Sequence, residues 1–341
     1  MPLDPPVGGA SISMNKLGSV VDVHAHVSPQ RFQKAVENGG DWLGMTADDG
    51  ELWNPKMHWG LQERLDDMDA LQVDIQVVAP NIDFYQYHRK PADTIRIASE
   101  VNDEIAEMVR ERPDRLMGLG TLPMQSIDGA NGEMVRGMKD LGLVGFMIND
   151  HVNGLTYDKE HFNPFWEAAE ELGAVIFFHQ GRDTSAMTLT KDYFLWNSVG
   201  ALADRALTFG CLVYGGVMDK HPNLEVCLCH AGGFTSFVID RMDKAWDGRS
   251  HLRGKALDRP STYLKRFYFD TVTFEPRTLR FLVDVVGADR VLFGTDWPTP
   301  MMVDGVRGLE VMEGLEGPDR EAILKTNAAG LFRNAEGTAP R

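Results

Sequence analysis

The sequence predicts a (β/α)8 barrel of the TIM type. Three observations carry that expectation: eight short apolar runs rich in Val, Ile and Phe, stretches of helical spacing between them, and no hairpin turn joining one run to the next. Near-continuous apolar strands without hairpins call for a parallel sheet covered by helices. Eight βα units in roughly 300 residues then favour a closed barrel over the open doubly wound sheet that is the alternative.

The runs follow in order along the chain. They are SVVDVH from Ser19, DIQVVAP from Asp74, LMGLGTLP from Leu116, LVGFMIN from Leu143, AVIFFH from Ala174, EVCLCH from Glu225, FYFDTV from Phe267 and VLFGTD from Val291. Between them, apolar residues recur three and four apart, as at Leu61, Leu65 and Met68, at Val101, Ile105 and Met108, and at Phe162, Phe165, Trp166 and Ala169. The segments ERPDR, DLGLVG, ELGAV, KHPNLEV and VVGADRV place Gly or Pro where a helix should stop before the next strand. Residues 27–56 and 180–197 are longer than a minimal βα connection, and the topology puts both on the C-terminal face, where pockets are built. No linker interrupts the series, so residues 1–341 read as one domain, with loosely ordered ends at 1–18 and 335–341.

Composition narrows the function classes. A formal net charge of −16 disfavours nucleic acid and anionic membrane surfaces as partners. The first 18 residues, MPLDPPVGGASISMNKLG, lack a basic start and an unbroken apolar core, and a cytoplasmic location is the default. Three cysteines are too few for a disulfide framework. Cys227 and Cys229 can act as soft metal ligands or pack as small hydrophobes, and packing is the better account because no second pair completes a site.

The polar residues at the strand ends carry the functional argument. Strand one ends at His24 and His26, strand four at Asn149, strand five at His179, strand six at His230, strand seven at Asp270 and strand eight at Asp296. In a barrel these ends converge on one rim, and strand alternation points His24 and His26 to the same side. Any one of these histidines alone is more simply a hydrogen-bonded strand end. Jointly, His24, His26, His179 and Asp296 make a donor set suited to a borderline divalent metal such as zinc, with Mn2+ as another candidate. His230 can be a further ligand or a general base; its near-neutral reference pKa favours the base. Strand four ends in Asn149 with no lysine, so one metal is expected per chain. His151, just past strand four, and Trp297, after Asp296, are candidates for touching substrate. His58, His88, His161, His221 and His251 read as surface or helix-end residues.

DVHAH, FFHQG, CHAGG and GTDWP, in this order, resemble the metal-dependent decarboxylase branch of the amidohydrolase superfamily. GLGTLPMQ at 118–125, HVN at 151–153, KHPNLEVCLCHAGG at 220–233 and FGTDWP at 293–298 extend the resemblance over about residues 20 to 300. It implies zinc held by His24, His26, His179 and Asp296, His230 as acid/base with Asp296 beside it, and loss of CO2 from a small unsaturated or aromatic acid. It also implies a homodimer in which Arg241 reaches a substrate carboxylate across the interface. Two positions depart from the pattern: Leu52 stands where a second carboxylate-binding arginine is expected, and Asn197 replaces an aromatic lining residue. Arg182, after HQG, can supply a charge from another direction. Metal-dependent hydrolysis or hydration of a C–C, amide or lactone bond is the alternative reaction.

Overall fold

In a computed structural model, which describes residues 20–37, 39–50, 55–185, 191–298 and 307–333, all eight apolar runs form strands. They are β1 (Val21–Val27), β2 (Ile75–Pro80), β3 (Leu116–Gly120), β4 (Gly145–Ile148), β5 (Val175–Phe178), β6 (Glu225–Leu228), β7 (Phe267–Asp270) and β8 (Val291–Leu292). One sheet contains them in sequence order, and every neighbouring pair is parallel. The barrel closes just beyond β8. Val23 N donates to Phe293 O at 2.9 Å, Asp296 N to His24 O at 2.8 Å and His26 N to Trp297 O at 2.6 Å. The fold is therefore a (β/α)8 barrel, as the strand pattern requires.

A helix follows each strand: α1 (Leu61–Ala70), α2 (Pro91–Glu111), α3 (Ile127–Arg136), α4 (Asn163–Leu172), α5 (Leu202–Tyr214), α6 (Thr235–Gly248), α7 (Pro276–Val286) and α8 (Asn327–Arg333). The spaced apolar residues form their inner faces: Leu65 and Met68 on α1, Val101 and Ile105 on α2, and Phe165, Trp166 and Ala169 on α4 are all buried. Each Leu, Ile, Val, Met or Phe among them withdrawn from water contributes about 1.5–3 kcal/mol, which binds the helical ring to the sheet. Gly173 ends α4 in a left-handed conformation at φ 63°, which a glycine adopts without the strain a side chain would bring.

The loop after β1 contains a two-turn helix, Gln30–Val36, and the segment after β5 re-enters helix at Trp196. Cys227 and Cys229 are wholly buried, while Cys211 is partly exposed. Among the described residues, no helix is long and apolar enough to cross a membrane. The expected loose ends, and Leu52, lie outside the described residues.

Candidate metal centre

Closure of β8 onto β1 decides which side chains meet. The Asp296 N–H bond to the His24 carbonyl fixes the chain just past β8 against the end of β1. Gly294 makes this approach possible, because a Cβ there would lie 2.9 Å from His24 Cβ and 3.2 Å from Asp270 Cβ. His24 and His26 project to one side of β1, and β5 delivers His179 from across the barrel mouth.

The result is a tight, buried cluster. His24 Nε2 lies 3.2 Å from His26 Nε2, and Asp296 Oδ1 lies 3.3 Å from the first and 3.1 Å from the second. The His179 ring centre is 5.0 Å from that of His24 and 4.8 Å from that of His26. One donor atom from each of His24, His26, His179 and Asp296 falls within 4.8 Å of every other, and all four residues are buried. The opposite ring nitrogens are tethered by the protein. His24 Nδ1 meets Asp270 Oδ2 at 2.7 Å, His26 Nδ1 meets Pro80 O at 3.3 Å, and His179 Nδ1 meets Gln180 O at 3.1 Å. Acceptors at Nδ1 place the proton there and turn the Nε2 lone pairs inward.

These residues fit a divalent cation. His179 Nε2 is buried without a hydrogen-bond partner, an arrangement that costs free energy unless something electrophilic occupies the space before it. Burial, then the rings of His230, His26 and His24, holds His179 well below the usual histidine range, so its lone pair is available. Burial opposes the charge on Asp296, but His24, His230 and His26 outweigh it and hold the carboxyl well below the usual range. Three imidazole nitrogens and one anionic oxygen form a borderline donor set.

His230 stands beside the cluster and is less buried. Its ring centre is 4.7 Å from that of His179, and its Nε2 is 3.6 Å from Asp296 Oδ2. Burial lowers its proton affinity, which Asp296 restores only in part. The backbone at His230 and Ala231 is left-handed, with φ of 55° and 57°. Asp270 stabilises that turn by accepting from His230 N at 2.9 Å and Ala231 N at 2.8 Å.

A cavity of about 530 Å³ opens from His230, Asp296 and Gln180 toward solvent. Phe234, Phe237, Val272, Phe274 and Phe281 supply much of its wall, and Asn197 also lines it. Its size and apolar character suit a small aromatic ring.

The other candidate contacts sit elsewhere. Arg182 Nε donates to Asp83 Oδ1 at 2.5 Å, and both residues line a neighbouring cavity of about 410 Å³. His151 is engaged at both nitrogens, with Asp183 O 2.8 Å from Nε2 and Gly154 N donating to Nδ1 at 3.1 Å. Trp297 is buried, with its indole N–H on Asp67 Oδ2 and the Arg64 guanidinium 4.0 Å from its ring centre. Arg241 is exposed on α6, one turn beyond Phe237. His58, His88, His161 and His251 are exposed, whereas His221 is buried at a helix end with Nδ1 3.1 Å from Glu170 Oε2.

A supporting network was not evident from the strand-end reading. Asp22 accepts from His24 N, from Thr295 N and Oγ1, and from Gln76 Nε2. Arg64 Nη1 donates to Gln76 Oε1 at 2.5 Å and Nη2 to His26 O at 2.6 Å. Burial pulls Arg64 down to about 9 despite Asp22 and Asp67, which leaves it cationic at neutral pH. Asp22, in DVHAH, and Arg64, an arginine on the buried side of a helix, were the available signals.

The amidohydrolase family profile matches residues 21–333. A 2-amino-3-carboxymuconate-6-semialdehyde decarboxylase of Dictyostelium discoideum is 30% identical over 324 residues, covering 90% of this chain and 90% of the relative. A gamma-resorcylate decarboxylase of Rhizobium sp. is 30% identical over 300 residues, covering 83% of this chain and 91% of the relative. The crystal structure of a 2,6-dihydroxybenzoate decarboxylase complexed with 2,6-dihydroxybenzoate superposes with a TM-score of 0.76 at 25% identity, covering 92% of this chain and 99% of that one.

Proposed function

The chain belongs to the amidohydrolase family, and on that premise we propose that it is a zinc-dependent, non-oxidative decarboxylase of a small aromatic or unsaturated acid. The observation that carries this reading is the convergence of three buried histidines on Asp296, which together with His230 lines one apolar cavity. Two relatives at 30% identity and the superposable 2,6-dihydroxybenzoate enzyme are decarboxylases, which supports the same chemistry here.

His24, His26, His179 and Asp296 would hold the cation. When bound, it supplies Lewis acidity that polarises a substrate oxygen and draws the substrate's anionic group to the inner end of the cavity. The chain's own residues do the rest. The phenylalanine wall holds the ring and excludes water, which fixes the reacting carbon and strengthens every polar interaction around it. His230 is placed to move a proton at Nε2, with Asp296 Oδ2 stabilising the ring's charge while it does so. A proton reaches the carbon that carries the carboxylate, the C–C bond breaks, its electron pair returns to the ring, and CO2 leaves.

A homodimer completes this reading. Phe237 is 80% exposed, and Phe274 and Phe281 are also exposed at the cavity mouth, an apolar surface that a second copy would cover. Arg241, close to Phe237 on α6, would then lie at or near the interface.

The test is a screen of aromatic and muconate-like acids in deuterated water with CO2 detection. The proposal expects CO2 with solvent hydrogen on the vacated carbon. Solvent oxygen retained in the organic product without CO2 would identify hydrolysis or hydration instead.

A further inference from the structure

We propose that Gln180 touches the substrate, its amide Nε2 donating a hydrogen bond to an acceptor oxygen of the bound acid, and that the buried pair of Arg205 and Asp150 turns the amide that way. This deepens the decarboxylase reading and rests on it.

Gln180 lies two residues past β5, directly after His179, and lines the same cavity as His230 and Asp296. Its backbone carbonyl meets His179 Nδ1, which keeps the residue beside the four-donor cluster. The side chain is buried, and its Oε1 accepts from Arg205 Nη2 at 3.1 Å. Among the described residues nothing accepts from its Nε2. A buried amide nitrogen without an acceptor costs free energy, and an oxygen of the bound acid removes that cost.

Arg205 decides which end of the amide is left over. It is wholly buried on α5, and its other terminal nitrogen, Nη1, donates to Asp150 Oδ1 at 2.8 Å. Thr208 Oγ1 donates to the same carboxylate oxygen at 2.8 Å. A guanidinium carries donors and no acceptor, so an amide turned the other way would set donor against donor in a buried place. Oε1 is therefore held toward Arg205 and Nε2 is left for the cavity. The matching ligand atom is an oxygen that accepts, either on the carboxylate or on the neighbouring ring carbon. The amide stays neutral throughout and makes its contact in the bound substrate and the transition state alike, so it acts on KM rather than on kcat.

The deciding variant, on the metal-replete full chain, is Gln180→Glu. Its carboxylate has the same shape, keeps an oxygen for Arg205 and replaces the donor by a second acceptor. If Gln180 only ties β5 to α5, Glu serves at least as well; if it binds the acid, Glu repels it. We expect Gln180→Met to raise the KM of the acid found by the screen about tenfold with kcat within about threefold of the parent, and Gln180→Glu to raise KM about a hundredfold. Metal content should match the parent in both, since the Gln180 side chain is outside the four-donor set.

Calorimetry with 2-methoxybenzoate and 2-ethylbenzoate reads the contact without turnover, because neither ring carries a free hydroxyl to drive protonation. The two differ by an oxygen in place of a methylene group. A loss of affinity in Gln180→Met confined to the methoxy acid puts the accepting oxygen on the neighbouring carbon, and an equal loss for both puts it on the carboxylate. Arg205→Met paired with Asp150→Asn frees the amide and should reproduce most of the KM change of Gln180→Met, to which adding Gln180→Met should contribute little more.

Parent-like KM and affinity in both Gln180 variants, or recovery in Gln180→Glu of what Gln180→Met loses, overturns the proposal. A parent-like KM in the paired Arg205 variant would remove Arg205 from it. If no acid releases CO2, the decarboxylase reading fails, and the calorimetric comparison still decides the Gln180 contact.

Discussion

Asp270 Oδ2 lies 2.7 Å from His24 Nδ1, a contact between residues 246 positions apart that orients one imidazole of the buried cluster. The same carboxylate holds the backbone N–H groups of His230 and Ala231. One side chain thereby sets the tautomer of His24, the proposed ligand, and the position of His230, the proposed proton-transfer residue. Asp270→Asn should weaken metal affinity by about 10–100-fold, read by competition with a chelator. An unchanged affinity would remove Asp270 from this role.

Acid should release the metal early. Burial opposes a charge on His24, yet Cys229, Asp296 and Asp270 beside it hold its proton affinity well above the usual histidine range. Metal must displace that proton, so below the raised pKa apparent affinity falls as pH falls, by about tenfold per unit for one competing proton. The decline should begin above pH ~6.5, the ordinary histidine value, in a chelator titration across pH. A flat affinity until well below that value would contradict the geometry of His24.

In the proposed reaction His230 acts on the substrate and lies outside the four-donor set. His230→Ala should leave metal content close to that of the parent and lower kcat by about 100-fold or more. Metal analysis and steady-state kinetics on one preparation check both halves. Loss of metal together with activity would make His230 a ligand instead.

Arg64 joins α1 to β1, β2 and the segment carrying Trp297. Arg64→Met leaves the Gln76 and His26 oxygens without their donor and Trp297 without its cation, and should cost about 3 kcal/mol of stability in denaturant unfolding. A cost below about 0.5 kcal/mol would show that the network carries little of the closure.

The strands were legible because each is an uninterrupted apolar run, buried on both faces of a parallel sheet, and the clustered histidines because they sit where such runs stop. The side-chain directions around the rim were not. Arg182, His151 and Trp297 are as near the strand ends as the clustered histidines, but Asp83, Asp183 and Asp67 engage them, and those partners lie 99, 32 and 230 positions away. Such pairings arise from barrel closure and loop packing, which spacing does not encode. Asp270 was visible as the end of β7, but its link to His24 becomes apparent only once Gly294 allows the two backbones to approach. The aromatic wall comes from the segments following two different strands, β6 and β7, and has no local signature at all.

The most direct test of the central claim is metal content by elemental analysis of carefully prepared protein, compared with Asp296→Asn and His24→Ala. The account predicts about one divalent ion per chain in the parent and large losses in both variants. Less than about 0.3 ion per chain in the parent, unchanged in the variants, would contradict a mononuclear metal centre built from His24, His26, His179 and Asp296.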